Sequence, residues 1–205
     1  MNPVMSPELI VAGASLGGYD ALAALLGELP EGFPLPLAVV QHRSADSDEL
    51  LSALLQRSCR LPLAEVEDKQ PILPGAIYLA PANYHLLVER DHFALSVDHR
   101  VQYARPSIDV LFESAADAYR ERLAAVLLSG SNEDGARGIA RVKARGGLTV
   151  VQDPASAESA RMPAAAIAAS EVDFVLPLAG IAQLLNDLIS RSEDYAWQGR
   201  GRLTQ

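Results

Sequence analysis

Three side chains in this sequence could together break an ester or amide bond: Ser15, His42 and Asp134. A serine hydroxyl becomes a useful nucleophile only when a base takes its proton and a third group orients that base. Ser15 sits in the run Gly13, Ala14, Ser15, Leu16, Gly17, Gly18, which fits the G-x-S-x-G pattern of a serine on a tight strand-to-helix turn. Small neighbours let the chain reverse sharply and leave the hydroxyl exposed. The helix that follows would aim its first amides and its positive dipole end at the same place. Such a place suits an alkoxide or an oxyanion, and equally a phosphate.

The turn therefore has three readings. It can be a glycine-rich loop that only permits tight packing. It can be a dinucleotide loop, but the spacing is G-x-x-x-G-G and not G-x-G-x-x-G. Reductases of that sort also pair a tyrosine with a lysine four residues on, whereas Glu65 precedes Lys69 and Ile139 precedes Lys143. The third reading is a nucleophile elbow, which needs a base and an acid from elsewhere. His42 follows an apolar run at 37–41 and so repeats the strand-end position of Ser15. The other histidines, His85, His92 and His99, fall in or beside a hairpin, where surface or structural roles are expected. Asp134 lies in a loop between a strand and a helix, where an aspartate commonly serves as an N-cap. Set beside Ser15 and His42 at two similar junctions, it reads as the acid, with Glu133 as the alternative carboxylate. The order Ser, His, Asp differs from that of the α/β-hydrolases, which excludes that family but not the chemistry.

The elements that must carry these groups alternate along the chain. Apolar strand-like runs occupy 9–12, 37–41, 63–66, 76–79, 124–128, 148–152 and 174–176. Helical periodicity fills 19–29, 47–58, 107–120, 135–144, 163–169 and 179–189. Repeated strand-then-helix units predict an α/β fold: a doubly wound, mainly parallel sheet with helices on both faces. Two short runs at 86–89 and 93–97, separated by Arg90, Asp91 and His92, predict an antiparallel hairpin added to that sheet. A single domain is expected over 1–190, followed by a polar tail at 191–205 that frays.

Composition narrows the partners. The 205 residues carry 17 basic against 26 acidic side chains, a net charge of −9, with 49% apolar residues. Clustered positive charge, which nucleic acid binding requires, is missing. No apolar run approaches the ~20 residues of a membrane span, and the N-terminus has no secretory pattern. The single cysteine, Cys59, fits a reducing compartment and reads as a small core residue. A soluble cytoplasmic protein with neither cofactor nor metal is expected.

At its three loops the sequence resembles the catalytic domain of the chemotaxis CheB-type protein-glutamate methylesterases. The G-A-S-x-G-G turn of that family corresponds to residues 13–18, its V-V-Q-H strand end to Val39, Val40, Gln41 and His42, and its T-G-x-x-x-D-G loop to residues 129–135. Similar stretches recur in order at 74–81, 105–112, 146–153 and 162–167, so the resemblance spans about 10–188. It implies a triad of Ser15, His42 and Asp134 acting on methyl esters of glutamate side chains, with glutamine deamidation in many members. The backbone amides of Leu16 and Ser131 are the implied oxyanion donors. The implied partners are the cytoplasmic helices of methyl-accepting chemoreceptors; regulation is open between constitutive activity, a separate response-regulator-type protein and a segment of a longer chain. Leu16, Ala104 and Ser131 replace a common threonine, histidine and methionine of the family, which bears on substrate preference. Family members commonly begin with a receiver domain, for which the residues ahead of this first strand leave no room. The alternative is a non-catalytic domain that binds a receptor or another signalling protein.

Overall fold

The computed structural model describes residues 7–44 and 50–200, with side chains placed as far as residue 189. Among them the chain runs through β1 (Leu9–Ala14), α1 (Gly18–Gly27), β2 (Leu37–Gln41), α2 (Leu50–Gln56), β3 (Leu63–Glu65), β4 (Ile77–Leu79), β5 (His85–Val88) and β6 (Phe93–Ser96). It continues through α3 (Ile108–Tyr119), β7 (Leu123–Leu127), α4 (Ala136–Ala144), β8 (Leu148–Gln152), α5 (Arg161–Ala169), β9 (Phe174–Leu176) and α6 (Leu178–Arg200). The elements lie where the hydrophobic periodicity placed them, within a residue or two at most boundaries. The helix expected from Ser47 is described from Leu50, because 45–49 lie outside the described residues. Of the expected tail, 191–200 continue α6 and 201–205 lie outside the described residues.

Seven strands form one parallel sheet in the order β3-β4-β2-β1-β7-β8-β9. Every residue of β1 and β2 is buried, as expected for parallel strands covered on both faces. Along β1, Leu9 and Val11 enter a core layer built with α3 and α4, while Ile10, Ala12 and Ala14 enter one built with α1 and α6. The chain leaves β1 toward β2 on one side and returns at β7 on the other. Such a reversal opens a crevice at the carboxyl ends of the strands. Register makes those ends level, since Ala14 pairs with Gln41 and Gly13 with Leu127.

The hairpin is antiparallel, with Val88 opposite Phe93, but it does not extend the parallel sheet. It forms its own two-stranded sheet. Its apolar residues Leu86, Val88 and Phe93 bury themselves in the layer that holds α3, and the Val88 amide donates to Ser114 Oγ at 3.0 Å. Burying an apolar face on a helix layer stabilises these short strands more than two edge hydrogen bonds could. Cys59 lies just past α2, half-buried, and burial pushes its thiol above the ordinary range.

Candidate active site

Ser15 follows β1, His42 follows β2 and Asp134 lies in the loop after β7, so three neighbouring strands deliver them to one edge. The backbone ties the loops together there: the Ser15 amide donates to the Ser129 carbonyl at 2.9 Å and the His42 amide to the Ala14 carbonyl at 2.9 Å. Side-chain contacts then run in a line. Ser15 Oγ lies 3.1 Å from His42 Nδ1, and His42 Nε2 lies 2.7 Å from Asp134 Oδ2. A carboxylate can only accept, so Nε2 carries the proton and Nδ1 presents a lone pair to the Ser15 hydroxyl.

Asp134 is fully buried, yet its charge is well met. Oδ2 also accepts from the Ile108 amide at 2.7 Å, and Oδ1 from the Ser107 hydroxyl at 2.9 Å and the Asp109 amide at 3.0 Å. These amides form the first turn of α3, so the carboxylate sits on the positive end of that helix. The cap reading of Asp134 therefore holds for a different helix. The N-cap position of α4 is Gly135, which makes no side-chain cap bond. Burial pushes the Asp134 carboxyl up, but the His42 ring and the Asp109 and Ile108 amides outweigh it and hold it below the ordinary range. Glu133, the alternative acid, points away and pairs with Arg161 at 3.1 Å.

Behind this line stand groups that sequence patterns left unnoticed. Gln41 donates its Nε2 to the carbonyls of both Ser15, at 2.8 Å, and His42, at 3.1 Å, so one amide clamps the Ser15 and His42 loops. Ser107 caps α3 by accepting from the Val110 amide at 3.4 Å, a role that a serine just ahead of helical periodicity could have signalled. Its own amide donates to His85 Nδ1 at 3.3 Å. His85 is buried and structural, in keeping with its expected role. Asn132 bonds the Asp134 amide through Oδ1 at 3.2 Å and brings Nδ2 to 3.3 Å from His42 Nδ1. Nothing in local spacing announces Gln41 or Asn132, because the contacts of Gln41 with Ser15 and of Asn132 with His42 join segments far apart in sequence. Arg43 pins the chain just beyond His42 by donating to the Ala80 carbonyl at 2.8 Å and pairing with Glu65.

The two amides implied as oxyanion donors, those of Leu16 and Ser131, make no hydrogen bond within the described residues. The Leu16 side chain is exposed; its carbonyl is held by Ser129 Oγ at 2.7 Å. An open cleft of about 550 Å³ lies over Ser15 and His42 and includes Leu16, Gln41 and Ser131 in its walls. Asp20 and Glu158 also line it, and no lysine or arginine does, so the cleft favours neutral over anionic groups. Ala104 lies outside this lining. No metal-ligating cluster of histidine, cysteine and carboxylate groups occurs among the described residues, and no helix there is long and apolar enough to cross a membrane.

This parallel sheet, with hydroxyl, imidazole and carboxylate lined up at its carboxyl edge, has the architecture of a carboxylic-ester hydrolase domain. The CheB methylesterase family model matches residues 10–185. The chain belongs to the CheB methylesterase family. It is 48% identical over 181 residues to a Leptospira interrogans protein named "Putative protein-glutamate methylesterase/protein-glutamine glutaminase", covering 88% of this chain and 94% of that one. It is 40% identical to an Anaeromyxobacter dehalogenans protein named protein-glutamate methylesterase/protein-glutamine glutaminase 2, again over 88% of this chain but 53% of that one. The chain thus spans nearly all of the first relative and about half the length of the second. The crystal structure of the Thermotoga maritima CheB methylesterase catalytic domain superposes with a TM-score of 0.86 at 31% identity, covering 90% of this chain and all of that domain.

Proposed function

We propose that this chain is a protein-glutamate methylesterase that hydrolyses γ-glutamyl methyl esters on the cytoplasmic helices of chemoreceptors, with Ser15, His42 and Asp134 as its triad. The observation that carries the proposal is the line from Ser15 Oγ through His42 to Asp134, at 3.1 and 2.7 Å, in a member of this family. Ser15 Oγ attacks the ester carbonyl while its proton passes to His42 Nδ1. Asp134, kept ionised on the α3 N-terminus, faces the imidazolium that forms. The oxyanion is taken by the amides of Leu16 and Ser131, each donor typically worth about 3 kcal/mol of barrier. Collapse of the intermediate expels methoxide, which leaves as methanol with the proton from Nδ1. Water then attacks the acyl-serine by the same base and frees the glutamate carboxylate.

The neutral-favouring cleft suits a methyl ester, whose charge is masked until the product forms. Glutamine deamidation would proceed by the same steps with ammonia leaving, and the paired activities in the relatives' names support it. A cytoplasmic location follows from family membership as part of the same proposal. The alternative of a non-catalytic binding domain is disfavoured, since the relatives are named as methylesterases and the line from Ser15 through His42 to Asp134 is intact. Purified protein mixed with methylated receptor should release methanol, and Ser15→Ala should release none. Methanol release that survives Ser15→Ala would overturn the nucleophile assignment.

A further inference from the structure

We propose that the outer face of α2 is a docking site for the substrate helix, where the pocket it walls takes an aliphatic side chain one turn from the glutamyl ester. The inference rests on the reading of Ser15 and His42 as the active site. α2 holds four leucines in seven residues, yet only Leu55 is fully buried. A helix on a core ordinarily turns its leucines inward. Leu51 packs partly against the layer that holds α1 and α6, but Leu50 and Leu54 belong to neither core layer. These two stand four residues apart, on one face of the helix. Leu50 is 58% exposed.

Leu50, Leu51 and Leu54 wall an open pocket of about 340 Å³ together with Tyr19. Tyr19, Gln41 and His42 are walls both of this pocket and of the cleft over Ser15, so the two cavities adjoin at the catalytic histidine. Arg43 also reaches the pocket, but Glu65 balances its charge at 2.8 Å. Leu16, 54% exposed at the cleft, adds to the apolar rim. Apolar surface gathered at the mouth of a reactive site marks a place where another molecule sits.

The substrate itself fits that place. On a helix, the neighbours of a glutamyl ester on the same face lie three and four positions away, about 5–6 Å apart at Cβ. With the ester carbonyl at Ser15 Oγ, such a neighbour comes over the wall that cleft and pocket share. An aliphatic side chain there gains by leaving water, whereas a charged one would be stripped of water without a partner. The cleft thus performs the reaction, and the pocket chooses among glutamates by what stands beside them.

Leu54→Ala tests this, because it cuts the pocket wall without opening either core layer. Affinity for methylated receptor, read on Ser15→Ala protein so that nothing turns over, should weaken about tenfold when Leu54→Ala is added. With Ser15 intact, the loss should appear in KM far more than in kcat. Receptor with serine in place of the aliphatic residues three and four positions from its modified glutamates should bind about tenfold more weakly to protein that keeps Leu54. Leu54→Ala should then cost little more, since the two changes remove one contact. Unchanged affinity in Leu54→Ala, or two losses that simply multiply, would overturn the proposal; a second copy of this chain or some other protein as the occupant gives the first of these results. Should Leu54→Ala fail to label at Ser15 with a fluorophosphonate, its fold is lost, and Leu50→Ala at the exposed rim carries the same test. Protein that binds receptor with this dependence on Leu54 but releases no methanol would sink the proposed activity and leave the docking site standing.

Discussion

Asp134 and Asp109 cap each other's helices. Asp134 precedes α4 but accepts the amides of Ile108 and Asp109 in the first turn of α3. Asp109 lies in α3 but accepts the amides of Gly135, at 2.9 Å, and Gly138, at 2.8 Å, at the start of α4. Both carboxylates are fully buried. The reciprocal arrangement locks the acid loop to α3 and aims the free direction of Asp134 Oδ2 at His42.

Replacing Asp134 should therefore cost both rate and stability. Asp134→Asn keeps the shape but removes the charge, and an amide end placed toward His42 would favour the wrong ring tautomer. Ester hydrolysis should fall by about 10⁴-fold. Asp134→Ala leaves two amides and the Ser107 hydroxyl unmet in a buried place, which should destabilise the fold by about 2–4 kcal/mol in urea unfolding. An Asp134→Asn protein with near wild-type turnover would refute the role of its charge.

The two aspartates also predict opposite pH effects. Burial, helped by the nearby Asp134 charge, holds the Asp109 carboxyl above its ordinary range despite the Gly138 and Gly135 amides and Arg137. The folded state then binds this proton more tightly than the unfolded state, so the Asp109 contribution weakens as pH rises through that window. Asp134, held below the ordinary range, contributes stability that is present above the unfolded value and is lost as pH falls through the folded one. Asp109→Asn removes the first dependence. Relative to wild type, its stability should improve as pH rises from about 4 toward neutrality. Unfolding midpoints taken across that range would contradict the prediction if the difference were flat or of opposite sign.

Gln41 should matter through geometry and not through chemistry of its own. Gln41→Leu removes the donor that joins the Ser15 and His42 carbonyls while nearly conserving volume. The loops can then drift by fractions of an ångström, and a reduction in kcat of roughly 10–100-fold is expected with a modest change in KM. Fluorophosphonate labelling of Ser15 should slow in parallel. A variant that labels at the wild-type rate would show that the clamp is dispensable.

The floor of the site depends on one crowded contact. A Cβ at Gly13 would lie 2.3 Å from Ile108 Cγ2, and one at Gly135, where φ is +100°, would lie 2.8 Å from the same methyl. Gly13→Ala should destabilise by about 1–3 kcal/mol through overpacking. Ile108→Ala alone should cost about 2–5 kcal/mol by leaving a cavity. Combined, the two should cost less than their sum, by an interaction energy of about 1 kcal/mol or more. Strict additivity in a double-mutant cycle would mean that the packing is relieved elsewhere.

The sequence by itself determined the order and type of the elements, because burial on both faces demands unbroken apolar runs such as those of β1 and β2, while amphipathic periodicity marks the helices between them. It also brought Ser15, His42 and Asp134 to notice, since each stands at the end of such a run and strand ends in a doubly wound sheet share one edge. What it could not determine is anything that depends on which strands are neighbours. The hairpin looked like one more strand pair and proved to be a separate sheet on α3, because its pattern records an apolar face and not what covers it. Asp134 looked like a cap for α4, and only the packing of α3 against α4 turned its carboxylate onto the other helix. Gln41, Asp109 and Asn132 gain their roles from partners as many as 90 residues away, as with Asn132 and His42. Such contacts follow from strand order and loop packing, which local spacing does not encode.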